Sequence, residues 1–193
     1  MNPLLFFSHN QKKILEVNKV FEKSILKIYN LNNLKTIIEP KEKGNSFADN
    51  AKIKSLFGFK TFGVPCFADD SGICISALSN KPGIQSKRFL TKFKNNNEAF
   101  NHIISTAIKK NDFKAYFNTT ICLTLATNQH IFFVGKIRGE ISKNPRGSNG
   151  FGYDPIFTPN GHEKTFGEMG FSKKNRISHR MIALQKMESF LIN

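Results

Sequence analysis

The stretch Phe67–Leu78 reads FADDSGICISAL. An apolar run, Val64–Ala68, leads straight into two adjacent carboxylates, Asp69 and Asp70. The run is read as a strand that ends at the aspartates. Ser71-Gly72 is then expected to turn the chain, and Ile73–Ile75 to return as a second short strand, because Asp, Ser and Gly are favoured turn residues. Alone, the segment is an ordinary hairpin turn. It is also a way to deliver two carboxylates to a cleft, where they repel each other unless a cation joins them. Both readings stand at this point.

Outward from it, the chain alternates strands and helices. Leu4–Ser8 is a short apolar strand followed by the polar SHNQKK. Ile14, Val17, Phe21, Ile25 and Ile28 then recur at helical spacing on one face. Thr36–Ile38 reads as a second short strand, interrupted by Pro40. Ser46 and Asp49 have the spacing of a capping box, so a helix follows, with Asn50 and Lys54 one turn apart on a shared face. Ala99–Ile108 is a further helix. Tyr116–Ala126 and His130–Ile141 are long and rich in Phe, Thr, Ile and Val, as an antiparallel pair would be. NPRGSNGFGYDPIF is too glycine-rich for a regular element, and Ile177–Leu191 is expected to be helical. No repeat or linker divides residues 1–193, so a single mixed α/β domain is expected, with long β-ribbons able to form a second lobe.

Composition narrows the function classes. The 193 residues suit one domain with a real core. Lys and Arg number 29 against 14 acids, a net charge of +15. That excess would suit an anionic partner, but abundant Lys, Asn, Ile and Phe fit a codon bias, which is the favoured reading of the charge. No Arg-rich tail or compact basic run marks a nucleic-acid arm. Cys66, Cys74 and Cys122 are odd in number and lack metal-site spacing, so free thiols in a reducing compartment are expected. No stretch approaches a membrane span or a signal peptide, and a cytoplasmic location is the expectation.

Three segments besides the aspartates carry candidate chemistry. SHNQKK lies between a strand and a helix N-terminus, where backbone N–H groups and the helix dipole favour an anion. It lacks the glycines of a Walker A loop. In RGSNGFGYD, Gly147, Gly150 and Gly152 allow close backbone approach, and Phe151 and Tyr153 offer aromatic faces. KKNRISHR supplies Lys174, His179 and Arg180 as hydrogen-bond donors. An anion loop, a carboxylate pair, a glycine–aromatic loop and a donor cluster together describe a nucleotide–metal site.

SHNQKK, SFADNAKIKS, ADDSG, PGIQSKRF, RGSNGFGYDPIF, TFGEM and KNRISHR occur in an order that resembles the inosine/xanthosine triphosphate pyrophosphatase family, over almost the whole chain. The resemblance implies an α/β fold: one elongated domain, a central mixed twisted sheet flanked by helices, and two lobes with the active-site cleft between them. It implies Mg²⁺-dependent hydrolysis of ITP, dITP or XTP to the monophosphate and pyrophosphate, and a homodimer with neither nucleic acid nor membrane as partner. By position, Ser8, His9, Asn10, Gln11, Lys12 and Lys13 match the family's phosphate loop. Asp70 matches the base. Glu42, Asp69 and Asp70 match the acids around the metal. Ser71, Phe151, Gly152, Tyr153, Asp154, Lys174, His179 and Arg180 match substrate contacts, with Phe151 stacking on the base and His179 and Arg180 reading the purine 6-carbonyl. Lys54 and Arg88 match basic positions facing the phosphates. Ser8 stands for the commoner Thr, Asp49 for Glu, Ser76 for an acid, and Ser148 for Glu or Thr. The alternatives are a pyrophosphatase for pyrimidine or modified nucleotides, a non-catalytic nucleotide sensor, and a basic nucleic-acid-binding module.

Overall fold

The computed structural model describes residues 3–31 and 38–192. The elements run β1 (Leu4–Phe6), α1 (Gln11–Phe21), β2 (Ile28–Asn30), α2 (Phe47–Phe62), β3 (Cys66–Ile75), β4 (Lys81–Pro82), α3 (Ser86–Leu90), α4 (Asn96–Lys110), β5 (Lys114–Ala126), β6 (Gln129–Ile141), β7 (Phe157–Pro159), α5 (Phe171–Ile177) and α6 (His179–Ile192). The seven strands form one sheet in the order β2-β1-β3-β5-β6-β7, with β4 beside β3. β1 runs parallel to β2 and to β3, whereas β3–β4 and β6–β7 are antiparallel. The sheet is therefore mixed, as the resemblance implied.

The chain gathers into two compact units. Unit 1 comprises Met1–Asp70, Thr119–Gly135 and Arg180–Asn193. β1 and the first half of β3 are buried on both faces, because helices cover both faces there. Leu4, Phe6 and Phe67 pack with Ile14 and Val17 of α1 and Ala183, Leu184 and Met187 of α6. Leu5, Phe7, Cys66 and Ala68 point the other way and pack with Phe59 and Phe62 of α2. Unit 2 comprises Ser71–Asn118 and Lys136–His179, around Ile73, Ile75, Phe100, Ile103, Phe117, Tyr153, Phe157 and Phe166.

The expected turn at Ser71-Gly72 is absent. β3 runs unbroken through Asp69 and Asp70 for ten residues. Gly72 serves close approach instead: a Cβ there would lie 2.1 Å from the Gly83 carbonyl oxygen and 2.6 Å from Ser86 Oγ. Ser86 Oγ accepts the Ile73 N–H at 2.9 Å and donates to the Gly83 carbonyl at 2.7 Å, fixing the glycine beneath that crossing.

Other boundaries also moved. The first helix ends at Phe21, leaving Ile25 exposed, because Ile28 pairs with Leu4 as part of β2. Of the expected strand at 36–38, residues 36 and 37 lie outside the described residues, and Ile38 is not in a strand. The C-terminal helix starts at His179 rather than Ile177, since Ser178 takes an extended ψ of 153° and separates α5 from α6. The long ribbon is present as β5 and β6, joined by only two residues, which antiparallel pairing alone allows.

Candidate active site

Successive side chains of a strand point to opposite faces, so Asp69 follows Phe67 and Asp70 follows Ala68. Asp69 therefore meets α1 and α6. Lys13 Nζ lies 2.9 Å from its Oδ2. The Arg180 Nε and Nη2 groups each donate to the same oxygen at 3.2 Å. Arg180 Nη1 donates to Glu16, a second buried acid, on α1. The result is a chain of two acids and two cations, buried at Glu16, Asp69 and Arg180 and half-buried at Lys13. Burial works against the Arg180 charge, but Glu16 and Asp69 outweigh it and raise its pKa. Lys13 goes the other way. Burial, with repulsion from Lys54 and Arg180, overcomes the attraction of Asp69 and lowers its pKa.

Asp70 faces α2. Ser46 caps that helix by accepting the Asp49 N–H at 3.1 Å. The box is not reciprocal as expected, because Asp49 Oδ2 accepts from Asn45 N–H at 3.2 Å rather than from Ser46. The cap fixes the first turns and aims Asn50 and Lys54 from one face. Asn50 Nδ2 donates to Asp70 Oδ2 at 3.1 Å, and Lys54 Nζ lies 2.6 Å from Glu42 Oε1. Burial pushes the Asp70 carboxyl up to about 6, with the nearby Glu42 charge adding to the rise while Lys54, Asn50 and Lys13 hold it down. Burial alone would lower Lys54, but Asp69, Glu42 and Asp70 prevail and raise it.

The SHNQKK loop is organised by its own side chains. Asn10 caps α1, accepting the Lys12 and Lys13 N–H groups at 3.1 and 3.3 Å, and Ser8 Oγ accepts the Asn10 N–H. The His9 N–H donates to Glu39. Four backbone donors expected to face an anion are thus already engaged.

In unit 2, the glycine–aromatic loop folds around Asp154. Gly150 and Gly152 hold φ values of 76° and 62°, and a Cβ on Gly150 would lie 2.0 Å from Asp154 Oδ2. That oxygen accepts the Phe151 N–H at 2.7 Å and pairs with Lys174 Nζ at 2.7 Å. Lys174 Nζ also sits 4.6 Å from the Phe151 ring centroid, a cation–π contact. Tyr153 is buried and donates its hydroxyl to the Ser86 carbonyl at 2.8 Å, so it anchors the loop rather than lining a free face. His179 stacks on Phe117 at 4.7 Å. Ser71 is half-buried on β3, and Arg88 is exposed on α3.

A model of the Ham1 family matches residues 4–190. The chain belongs to the Ham1 family. The dITP/XTP pyrophosphatase of Flavobacterium psychrophilum is 36% identical over 190 residues, covering 98% of this chain and 99% of that protein. The Porphyromonas gingivalis dITP/XTP pyrophosphatase is also 36% identical, covering 100% and 98%. Among solved structures, a Ham1 protein from Coxiella burnetii superposes with a TM-score of 0.89 at 33% identity, covering 100% of this chain and 99% of that one. The Staphylococcus aureus Ham1 protein gives 0.85 at 30% identity, covering 98% and 97%.

The Ham1 chain thus brings Lys13, Glu42, Lys54, Asp69 and Asp70 into unit 1, and Phe151, Asp154, Lys174 and His179 into unit 2. Arg180, expected at the purine, has its guanidinium on Asp69 and Glu16. Glu16 and Asn50 are the site residues that sequence reasoning did not assign. Asn50 had been placed on the same face as Lys54, which was the available signal. Among the described residues, no group of three or more His, Cys, Asp or Glu side chains is placed to hold a metal ion by itself. Magnesium commonly takes one or two carboxylates and completes its shell with water and substrate phosphate. Glu42 and Asp70 fit that demand, because the charge of Glu42 raises the Asp70 pKa, a repulsion that a cation would relieve. Asp69 already has two cationic partners.

Proposed function

We propose that this protein hydrolyses non-standard purine nucleoside triphosphates, ITP, dITP or XTP, to the monophosphate and pyrophosphate. The observation that carries the reading is Asp70: a buried carboxyl raised to about 6, held by Asn50, within the influence of two lysines. A general base works best with a pKa near the working pH. Asp70 takes the proton of the attacking water, and pyrophosphate leaves from the α-phosphorus. Lys13 and Lys54 offset triphosphate charge, since positioning and charge stabilisation do most of the work in phosphoryl chemistry. Asp69 holds Lys13 and Arg180 in place. Mg²⁺, when bound by Glu42 and Asp70, supplies further charge neutralisation at the phosphates.

Purine recognition is assigned to unit 2. Phe151 offers a face for the base, and Lys174 and His179 donate to a 6-carbonyl, which adenine lacks. Sites built on such hydrogen bonds discriminate by about 10⁴–10⁵. A homodimer in the cytoplasm is the accompanying expectation, checked by light scattering and fractionation.

The test is hydrolysis of dITP, XTP, dUTP and ATP with Mg²⁺ and with EDTA, measuring pyrophosphate and phosphate separately. Pyrophosphate from dITP and XTP, almost none from ATP, and none with EDTA is expected. Phosphate alone would mean attack on a different bond. Faster turnover of dUTP would move the enzyme to pyrimidine substrates.

A further inference from the structure

Asn50 is a buried polar residue of α2, 2% exposed. Its side chain joins two places that are remote in sequence. The Gly44 N–H donates to Asn50 Oδ1 at 2.9 Å, and Asn50 Nδ2 donates to Asp70 Oδ2 at 3.1 Å. This orientation is forced. A backbone N–H can only donate, so the atom facing Gly44 must be the amide oxygen, and the atom facing Asp70 must then be the NH₂. Gly44 lies two residues after Glu42, whose carboxylate is held by Lys54, one turn beyond Asn50 on α2. Gly44 is also packed without slack. A Cβ there would lie 2.4 Å from Asp49 Cβ and 2.7 Å from Asn50 Oδ1.

From this geometry we infer that Asn50 is a positioning residue that locks the Glu42 loop to the Asp70 carboxylate. α2 is the ruler: its N-terminal turns set the spacing of the two acids through Asn50 on one and Lys54 on the other. The inference deepens the hydrolase reading and rests on it for the catalytic consequence. The clamp itself rests only on the contacts. It accounts for a glycine at 44 and an asparagine at 50 together, since neither alternative side chain leaves both hydrogen bonds in place. Misplacement of a reacting group by about 1 Å can cost roughly 10²-fold in rate, which sets the scale of the effect.

The experiment pairs kinetics with a double-mutant cycle on thermal stability. Asn50→Asp is isosteric and keeps the Gly44 contact, but it turns an acceptor toward Asp70. Its kcat for dITP is expected to fall about 10²-fold with KM within threefold, and its Tm to drop. Asn50→Ala, which loses both contacts, is expected to show the same kcat-selective loss. In Asn50→Asp/Asp70→Asn the donor and acceptor are exchanged, so Tm returns toward that of Asp70→Asn while activity stays lost. The clamp is overturned if the Asn50 variants keep kcat within threefold of wild type, or if the double variant shows no recovery of Tm. Should an Asn50 single variant fail to fold, recovery in the double variant decides alone. A wild-type protein that releases no pyrophosphate from dITP would sink the substrate reading, and the Tm cycle would still test the clamp.

Discussion

At Asp70, one side chain joins reactivity to instability. It is 5% exposed, and burial raises its pKa to about 6 from an ordinary 3.8. A base must be ionised, so activity falls as pH drops; Mg²⁺ on Asp70 would favour the ionised form and move that fall below 6, which pH profiles of kcat/KM at low and high Mg²⁺ measure. The sign for stability is opposite. A carboxyl raised in the folded state stabilises the fold fully below its unfolded pKa and loses that contribution as pH rises through 6. At pH 7 the ionised Asp70 therefore costs about 2–3 kcal/mol. Asp70→Asn keeps an acceptor for Asn50 and removes the charge. It is expected to lose at least 10²–10⁴-fold in activity while its Tm rises by about 2–4 °C per kcal/mol recovered. The gain should shrink as pH falls from 6 toward 4. A variant that is inactive and also less stable at pH 7 would contradict the burial argument.

Among elements, α1, β3 and α6 are tied by Arg180, which reaches Glu16 164 positions away and Asp69 111 positions away. Arg180→Ala would leave two buried acids short of a partner, a loss of about 3–5 kcal/mol. Urea unfolding should show it, and a loss under 1 kcal/mol would mean the pairs are dispensable. This separation in sequence explains what was legible beforehand. The Ser46 cap, the Asn50/Lys54 face and the β5–β6 ribbon depend on neighbours within a few residues, so local spacing exposed them. Glu16 and Asn50 acquire their roles from partners that no local pattern names. Gly72 is the instructive error. Asp-Asp-Ser-Gly has turn chemistry, yet the glycine is required by a backbone crossing 11 residues on, at Gly83. Gly72→Ala places a methyl against that carbonyl, and a ΔΔG of roughly 1–3 kcal/mol is expected in chemical denaturation, in the range of overpacked sites. A neutral substitution would show that the crossing yields.

For the whole molecule, the surplus of positive charge acquires a place. Asp69, Glu42, Glu16 and Asp154 are each matched by a lysine or arginine within the two units. These acids and their partners cancel locally. The net charge of +15 thus falls to the remaining, mostly exposed side chains. Such a field attracts anions over several Å and is screened by salt, with a Debye length near 8 Å at physiological ionic strength. A small polyanion should therefore be captured faster at low salt, whereas the chemical step, set by buried groups that salt screens far less, should not change. Between about 20 and 500 mM KCl, kcat/KM for dITP is expected to fall roughly tenfold with kcat held within twofold. Loss of kcat in parallel would place the salt effect in the buried ion pairs. A flat kcat/KM would detach the surface charge from substrate capture and leave it a matter of composition alone.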